Sequence, residues 1–491
     1  MKVARWIAGG LGLLMVFLSI WQLENATAGL KVTDVVIGDL PVTLISPEYE
    51  GSESRPLVLI GHGVAGSRVI MRGYALTLAH AGYNVALWDF AGHGSNPQPL
   101  AEEREAAVLV TDAETALLTA QANGLSTEQV AVLGHSMGSG MALAYGTRHP
   151  ETMATIAISP VDAQVNPDLP RNLLLLAEEL DPRFVRNAEQ LLERAGGPGG
   201  DTQLGTARRI ETIPMVEHVT ILFSSTAQKA ARQWLDEIFG LQPGAEDYTD
   251  RRMLWYLVGL SGTLLFFWSL SALVYKLTDR SIEQVTVSVG RRIGALLLGA
   301  LGATALFFVL SQFGLELNRL LGVLVGGYLM VWFAIAGAFS IVLLGRMRGQ
   351  LTLPAVTGGL LVFAALWIGL GWLGNYVWLP WLLIPRRLIL WPLGAALSMP
   401  WFLAVAQAVL PTSRMGRAAW WLGYSVILVF ALYLAIRLNP ELGFLILILP
   451  IFPLVLGVHA LAAGPYRWRA SFALGGALFV GWLLAAVFPL Q

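Results

Sequence analysis

The chain has 491 residues, a net charge of −1 and no cysteine. Only 13% of its residues are charged, against about 25% in a soluble globular protein, and its mean hydropathy is +0.61. The near-zero charge gives no electrostatic preference for nucleic acid, and the lack of cysteine excludes disulfides, thiolate metal sites and a cysteine nucleophile.

The apolar excess is uneven. Residues 30–250 carry mixed charge like a soluble domain, whereas 253–490 are almost continuously apolar. Three parts follow: 1–28 as an N-terminal anchor or signal peptide, 29–245 as an α/β domain, and 250–491 as a membrane region with the lipid bilayer as its partner. At the N-terminus, Lys2 and Arg5 precede an apolar run, Trp6 to Leu23, long enough to cross a bilayer core of ~30 Å. Two readings stand. Ala26-Thr27-Ala28 resembles a signal-peptide cleavage site, while Trp6 and Trp21 near the two ends of the run suit an uncleaved anchor. Either way the next domain is exported.

In chain order, Lys31–Ile37 and Val42–Ile45 read as an antiparallel entry hairpin. Strands are predicted at Leu57–Ile60, Asn84–Trp88, Gln129–Leu133, Thr155–Ser159, Leu173–Ala177 and Ala207–Ile213. Helices are predicted at Val69–Ala81, Glu102–Asn123, Met137–Arg148, Val185–Ala195 and Ser225–Phe239. Short apolar strands alternating with helices imply a mostly parallel sheet covered on both faces.

Beyond residue 250, spans are predicted at 253–275, 293–315, 320–344, 353–377, 388–410, 419–437, 443–463 and 470–489. With an inside N-terminus the inner loops hold Lys2, Arg5, Lys276, Arg280, Arg291, Arg292, Arg346, Arg348, Arg414, Arg417, Arg467 and Arg469. The outer segments hold Arg251, Arg252, Arg319, Arg386, Arg387 and Arg437. Twice as many basic residues lie inside, as the positive-inside rule requires. The Arg386-Arg387 pair fits least well, and Pro380 to Pro400 suggests a broken or re-entrant helix. The expected location is a bacterial plasma membrane, multi-pass, with the α/β domain on the extracytoplasmic side.

Gly134-His135-Ser136-Met137-Gly138 is a nucleophile-elbow pattern set between a buried strand and a helix, the context that pattern requires. Ser136 would stand at a helix N-terminus, where amides favour a developing anion. Gly61-His62-Gly63-Val64-Ala65-Gly66 ends an earlier strand, and the amides of Val64 and Met137 are the expected oxyanion hole. Asp89-Phe90-Ala91-Gly92-His93-Gly94-Ser95 reads as a structural turn, with His93 a hydrogen-bonded loop histidine.

A serine hydroxyl needs a base, and the base needs an orienting acid. In this type of fold the chain order is serine, acid, histidine. His218 follows both the serine and the candidate acids; His459 lies in the apolar region and reads as a packed histidine. The candidate acids are Asp162, Glu178, Glu179 and Asp181. Asp181 is favoured because it follows the strand Leu173–Ala177 after a short loop, with Asp162 the alternative.

With these residues the segment 30–242 resembles the α/β-hydrolase superfamily, especially its monoacylglycerol-lipase-like and serine-aminopeptidase-like members. The matching residues are Gly61-His62-Gly63, Asp89 to Gly94, the Ser136 elbow, Asp181 and His218. The resemblance implies hydrolysis of an ester, thioester or amide through an acyl-enzyme, with no cofactor or metal and a small-molecule acyl ester or lipid as substrate. One departure stands out. Only Pro160 to Asn172 separates the strands between which related lipases carry a lid, so the site is expected to be covered by the membrane surface, by Gly196 to Gly205, or by nothing.

The apolar half has two readings, an anchor for the hydrolase or a transporter or lipid-binding unit with a degenerate hydrolase domain. Asp279, Glu283, Glu316 and Glu441 fall at predicted span ends or loops, which favours anchoring or lipid handling, since transporters place ionisable groups inside the bundle. A peptidase or amidase is the third reading.

Overall fold

The computed structural model describes residues 2–100, 106–275, 287–345, 352–409, 414–466 and 468–491. The expected α/β sheet is present. Its strands are β1 Leu30–Ile37, β2 Leu40–Pro47, β3 Leu57–Gly61, β4 Asn84–Trp88, β5 Val130–His135, β6 Ala154–Ile158, β7 Leu173–Glu178 and β8 Arg208–Ile213, in the order β1-β2-β4-β3-β5-β6-β7-β8. β1 and β2 pair antiparallel, as do β2 and β4, and every other pairing is parallel.

Because side chains alternate across a strand, each central strand feeds two cores. Val58, Ile60, Val85 and Leu133 pack with Tyr74 and Trp234 on one face. Leu57, Leu59, Trp88 and Val132 pack with Ala113 and Met141 on the other. The covering helices are α2 Arg72–His80 and α6 Ser225–Phe239 on the first face, and α3 Ala106–Ala122 and α4 Met137–Arg148 on the second; α5 Pro182–Arg194 packs beyond β7. The predicted start of α3, residues 102–105, lies outside the described residues, as do Lys276, Arg280, Arg346, Arg348 and Arg467.

Among the described residues eight helices are long and apolar enough to cross a membrane: Val3–Asn25, Arg252–Val274, Val289–Gln312, Gly326–Leu344, Leu353–Tyr376, Pro385–Val409, Met415–Leu438 and Arg469–Val487. The sequence anticipates one more, at 443–463. That stretch is instead split into Leu445–Ile448 and Ile451–Ala463 around Pro450, whose missing N–H interrupts the helix. It still joins opposite ends of the bundle. Glu441 before it accepts from the Leu317 amide at 3.3 Å, and Gly464 after it accepts from Arg417 at 2.8 Å.

The N-terminal helix packs against the helix Arg252–Tyr275 (α7) at a crossing of small residues. A Cβ on Gly12 would stand 2.7 Å from the Gly262 carbonyl, and one on Gly262 would stand 2.6 Å from that of Gly12, the close approach typical of membrane helices.

The sheet and the bundle are joined at the Asp89–Ser95 turn. Arg387, 1% exposed, donates to the carbonyls of Ala485 and Phe488 at 2.7 and 2.8 Å and to that of Gly92 at 2.6 Å. Arg386 donates to Pro97 O at 2.6 Å. Leu490 bonds this turn and the segment after it, donating to Gly92 O at 2.9 Å and accepting from the Leu100 amide at 2.8 Å. The arginine pair that fitted the charge rule least well is therefore the clasp that holds the α/β sheet to the helices. A buried guanidinium is tolerated when most of its donors are satisfied; the carbonyls at these chain turns take up the two terminal nitrogens, while Nε has no hydrogen-bond partner among the described residues.

Candidate active site

β5 delivers Ser136 into a turn with φ +53° and ψ −118°, a strained conformation for a non-glycine residue. The flanking glycines make it possible. A Cβ on Gly134 would lie 1.9 Å from the Gly138 carbonyl oxygen, and one on Gly138 would lie 2.4 Å from that of Gly61. Strand, turn and helix are thus pressed together until only hydrogen fits. The Ser136 amide donates back to Ile158 O at 3.0 Å and fixes the turn to β6.

His218, in the loop after β8, reaches Ser136 with Nε2, 3.2 Å from Oγ. Its ring stacks on Phe184, centroids 4.4 Å apart, and lies 4.7 Å from the ring of His135, whose Nε2 bonds the His218 carbonyl at 3.0 Å. The ring's plane is set by these neighbours. Its Nδ1 lies 2.9 Å from Oε1 of Glu178, which is fully buried and accepts the Ser159 hydroxyl at its other oxygen at 2.8 Å.

Asp181 is therefore not the partner of His218. It caps α5, accepting from the Arg183 amide at 3.2 Å and from that residue's guanidinium at 2.9 and 2.5 Å. The reason is local. Asp181-Pro182 is an N-cap followed by proline at the first helical position, and a capping carboxylate points at its own helix. The other candidates are also engaged elsewhere, Asp162 by Arg194 at 2.5 Å and Glu179 by the Met215 amide at 2.9 Å. β7 runs one residue beyond its predicted end, and strand alternation puts Leu174, Leu176 and Glu178 on one face. That parity was the available signal for Glu178.

Loss of water governs the protonation of this set. Burial lowers His218 to about 4 and His135 to about 3, so both are neutral near pH 7. Burial pushes Glu178 upward, opposed by the hydroxyl that Ser159 donates to it. With Nδ1–H turned to the carboxylate, Nε2 is left as the acceptor facing Ser136.

Val64 and Met137 line the same cavity as Ser136 and His218. Met137 opens α4, so its amide has no intrahelical acceptor. Gly63 lets the loop approach: a Cβ there would meet the Ser136 Cβ at 3.1 Å. His62 is buried, with Nδ1 bonding Gly63 O at 2.8 Å and Nε2 accepting the Phe90 amide at 3.1 Å. His93 bonds Ala91 O at 2.8 Å and is a loop histidine. Asp89 anchors the turn by pairing with Arg68 and accepting the Ser95 amide at 2.9 Å.

The cavity measures about 1410 Å³. Its cover is neither Gly196 to Gly205 nor open solvent. Apolar side chains of the helical bundle, among them Tyr256, Leu260, Leu379, Phe444 and Val458, close over it.

Residues 52–203 match the family described as serine aminopeptidase, S33. Over 108 residues the chain is 32% identical to a monoacylglycerol lipase of Mycolicibacterium smegmatis, covering 22% of this chain and 38% of that protein. The chain thus spans less than half the length of this curated relative. Among solved structures, a bacterial membrane phospholipase A matches at 15% identity and a TM-score of 0.35, covering 48% of this chain and 96% of its own. A soluble variant of monoglyceride lipase from Saccharomyces cerevisiae matches at 15% identity and a TM-score of 0.33, covering 43% and 97%. The sheet order, the strained elbow and the matched segment define the first half of this protein as an α/β-hydrolase fold.

Proposed function

We propose that this protein is a membrane-bound serine hydrolase that cleaves an ester bond of an acyl or lipid substrate, with Ser136, His218 and Glu178 as its triad. The observation that carries the reading is the continuous contact from Ser136 Oγ to His218 Nε2 and from His218 Nδ1 to buried Glu178. As Ser136 Oγ attacks the ester carbonyl, His218 takes its proton. The amides of Val64 and Met137 receive the oxyanion, each such donor being worth roughly 3 kcal/mol in related chemistry. The acyl C–O bond to the alcohol then breaks, His218 returns the proton to the leaving alcohol, and the acyl group stays on Ser136. Water, deprotonated by His218, attacks this acyl-enzyme and releases the acid. Glu178 holds the ring in the required tautomer throughout.

The match to a monoacylglycerol lipase supports an ester substrate over an aminoacyl amide. The charge distribution, with Lys2 and Arg5 inside, supports a hydrolase domain on the extracytoplasmic face of a bacterial plasma membrane. A fluorophosphonate probe is expected to label the wild-type protein and not Ser136→Ala; equal labelling would remove the reading. The chain has no cysteine of its own, so the side is read from single introduced thiols. Exposed Glu189→Cys should react with an impermeant maleimide in intact cells, and Met415→Cys only after lysis.

A further inference from the structure

The cavity around Ser136 is not confined to the α/β sheet. On one side it is bounded by Val64, Met137 and His218, and on the other by the bundle, chiefly by two of its stretches. From α7 come Met253, Tyr256, Leu257 and Leu260. From the broken stretch come Phe444, Leu447, Ile451, Leu454, Val455 and Val458. Leu260 lies eight residues into α7 and Val458 seven residues into Ile451–Ala463. At 1.5 Å per residue Leu260 is about 12 Å inside the apolar layer, close to the depth of one leaflet's hydrocarbon, half of ~30 Å, and Val458 lies deeper along the broken stretch, which begins before Leu445.

Two lining residues also face outward. Leu257 is 49% exposed and Leu454 68% exposed, on the two helices that flank this part of the cavity. Each of these residues thus has one side on the cavity and another on the outer surface of the bundle. The charged groups that line it, Arg148, Asp162, Arg183 and Glu217, all belong to the α/β sheet end. Its volume exceeds the ~300–1,000 Å³ of ordinary small-molecule pockets.

We infer that the bundle forms the acyl-chain half of the active site, and that the substrate is a long-chain ester lipid taken directly from the adjoining leaflet through the gap between α7 and Ile451–Ala463. This rests on the serine hydrolase reading above. The chain slides from hydrocarbon into a hydrocarbon-like wall, so only the ester and alcohol leave the lipid environment to meet Ser136. The kink at Pro450 suits this arrangement: it keeps the stretch 443–458 from packing as a straight helix against α7.

The test uses full-length protein in phospholipid nanodiscs. Turnover is measured for a C16 acylglycerol dissolved in the bilayer and for a water-soluble C4 ester. Val458→Trp and, separately, Leu257→Trp are expected to lower the C16-to-C4 ratio of kcat/KM at least tenfold, with fluorophosphonate labelling of Ser136 retained to show that the site is folded. An unchanged ratio in labelled variants overturns the inference, as does wild-type turnover of C4 ester without any turnover of bilayer-borne C16 ester. Turnover of an S-acylated membrane peptide in place of the lipid also overturns it. If neither ester is turned over, or Ser136→Ala is as active as wild type, the hydrolase reading itself fails. The two failures are therefore distinct.

Discussion

Glu178 and Asp181 stand three residues apart, yet only Glu178 reaches His218, at 2.9 Å, while Asp181 is held by Arg183. The two carboxylates should separate cleanly under mutation. Glu178→Gln is expected to lower kcat by roughly 10³–10⁴, as loss of the orienting acid does in serine triads. Asp181→Ala should keep ester turnover within about threefold and cost about 1 kcal/mol through the lost cap. Paired kinetics and thermal melts decide between them, and the reverse pattern would return the acid role to Asp181.

The elbow glycines admit no side chain. In Gly134→Ala the new methyl would meet the Gly138 backbone at 1.9 Å, and backbone cannot swing aside as a side chain can. The variant is expected to lose fluorophosphonate labelling and on the order of 4 kcal/mol of stability. A melt within a degree of wild type would show that the turn is looser than described.

Asp112 gives a pH dependence of stability. Burial raises its carboxyl from 3.8 to about 6, against one bond from the Ala91 amide, and its Oδ2 has no hydrogen-bond partner among the described residues. The folded state thus binds this proton more tightly than the unfolded chain. Its contribution is favourable below the unfolded value and is lost as pH rises through about 6. Asp112→Asn should match wild type near pH 4 and exceed it by about 1–2 kcal/mol at pH 8, read as the difference in Tm at the two pH values.

The clasp at Arg387 is tested by removing its donors. Arg387→Met leaves the carbonyls of Gly92, Ala485 and Phe488 without this buried donor, at about 1–3 kcal/mol for each one left unsatisfied. Limited proteolysis should cut the variant faster near residues 92–100, with Arg387→Lys intermediate. Unchanged cleavage would mean that Leu490 and Arg386 suffice to hold the junction.

Much of this was legible from local pattern. The strands announced themselves as short apolar runs, and the expected mostly parallel sheet is the one observed. Ser136 showed through its glycines, of which Gly134 is required by a contact four residues away and Gly138 by the approach of Gly61, and His218 through its place in chain order. The carboxylate that meets His218 was harder to read, because Asp181 carries a strong local signature, Asp before Pro, that belongs to a helix cap. Glu178 is marked only by falling on the inward parity of a strand one residue longer than its apolar run. The cover over the site was not legible at all. It depends on how residues 253–260 and 443–458 pack against residues 63–64 and 218, and no periodicity within a segment encodes a contact between segments so far apart. The Arg386-Arg387 pair looked like a flaw in the charge pattern because its acceptors, at Pro97 and Gly92, lie in the other half of the chain.

Arg387 comes to the Asp89–Ser95 turn from 295 residues downstream, and Leu490 comes from further still. Synthesis runs from the N-terminus, and domains fold as they emerge. The sheet can thus be assembled early, but its junction turn stays unclasped by Arg387 until the helix Pro385–Val409 has been made. Part of the wall opposite Ser136, residues 443–458, arrives later again. On the function proposed above, maturation of the site would be timed by membrane insertion: a nascent chain carries Ser136 and His218 long before it carries residues 443–458, the later part of the wall that faces them.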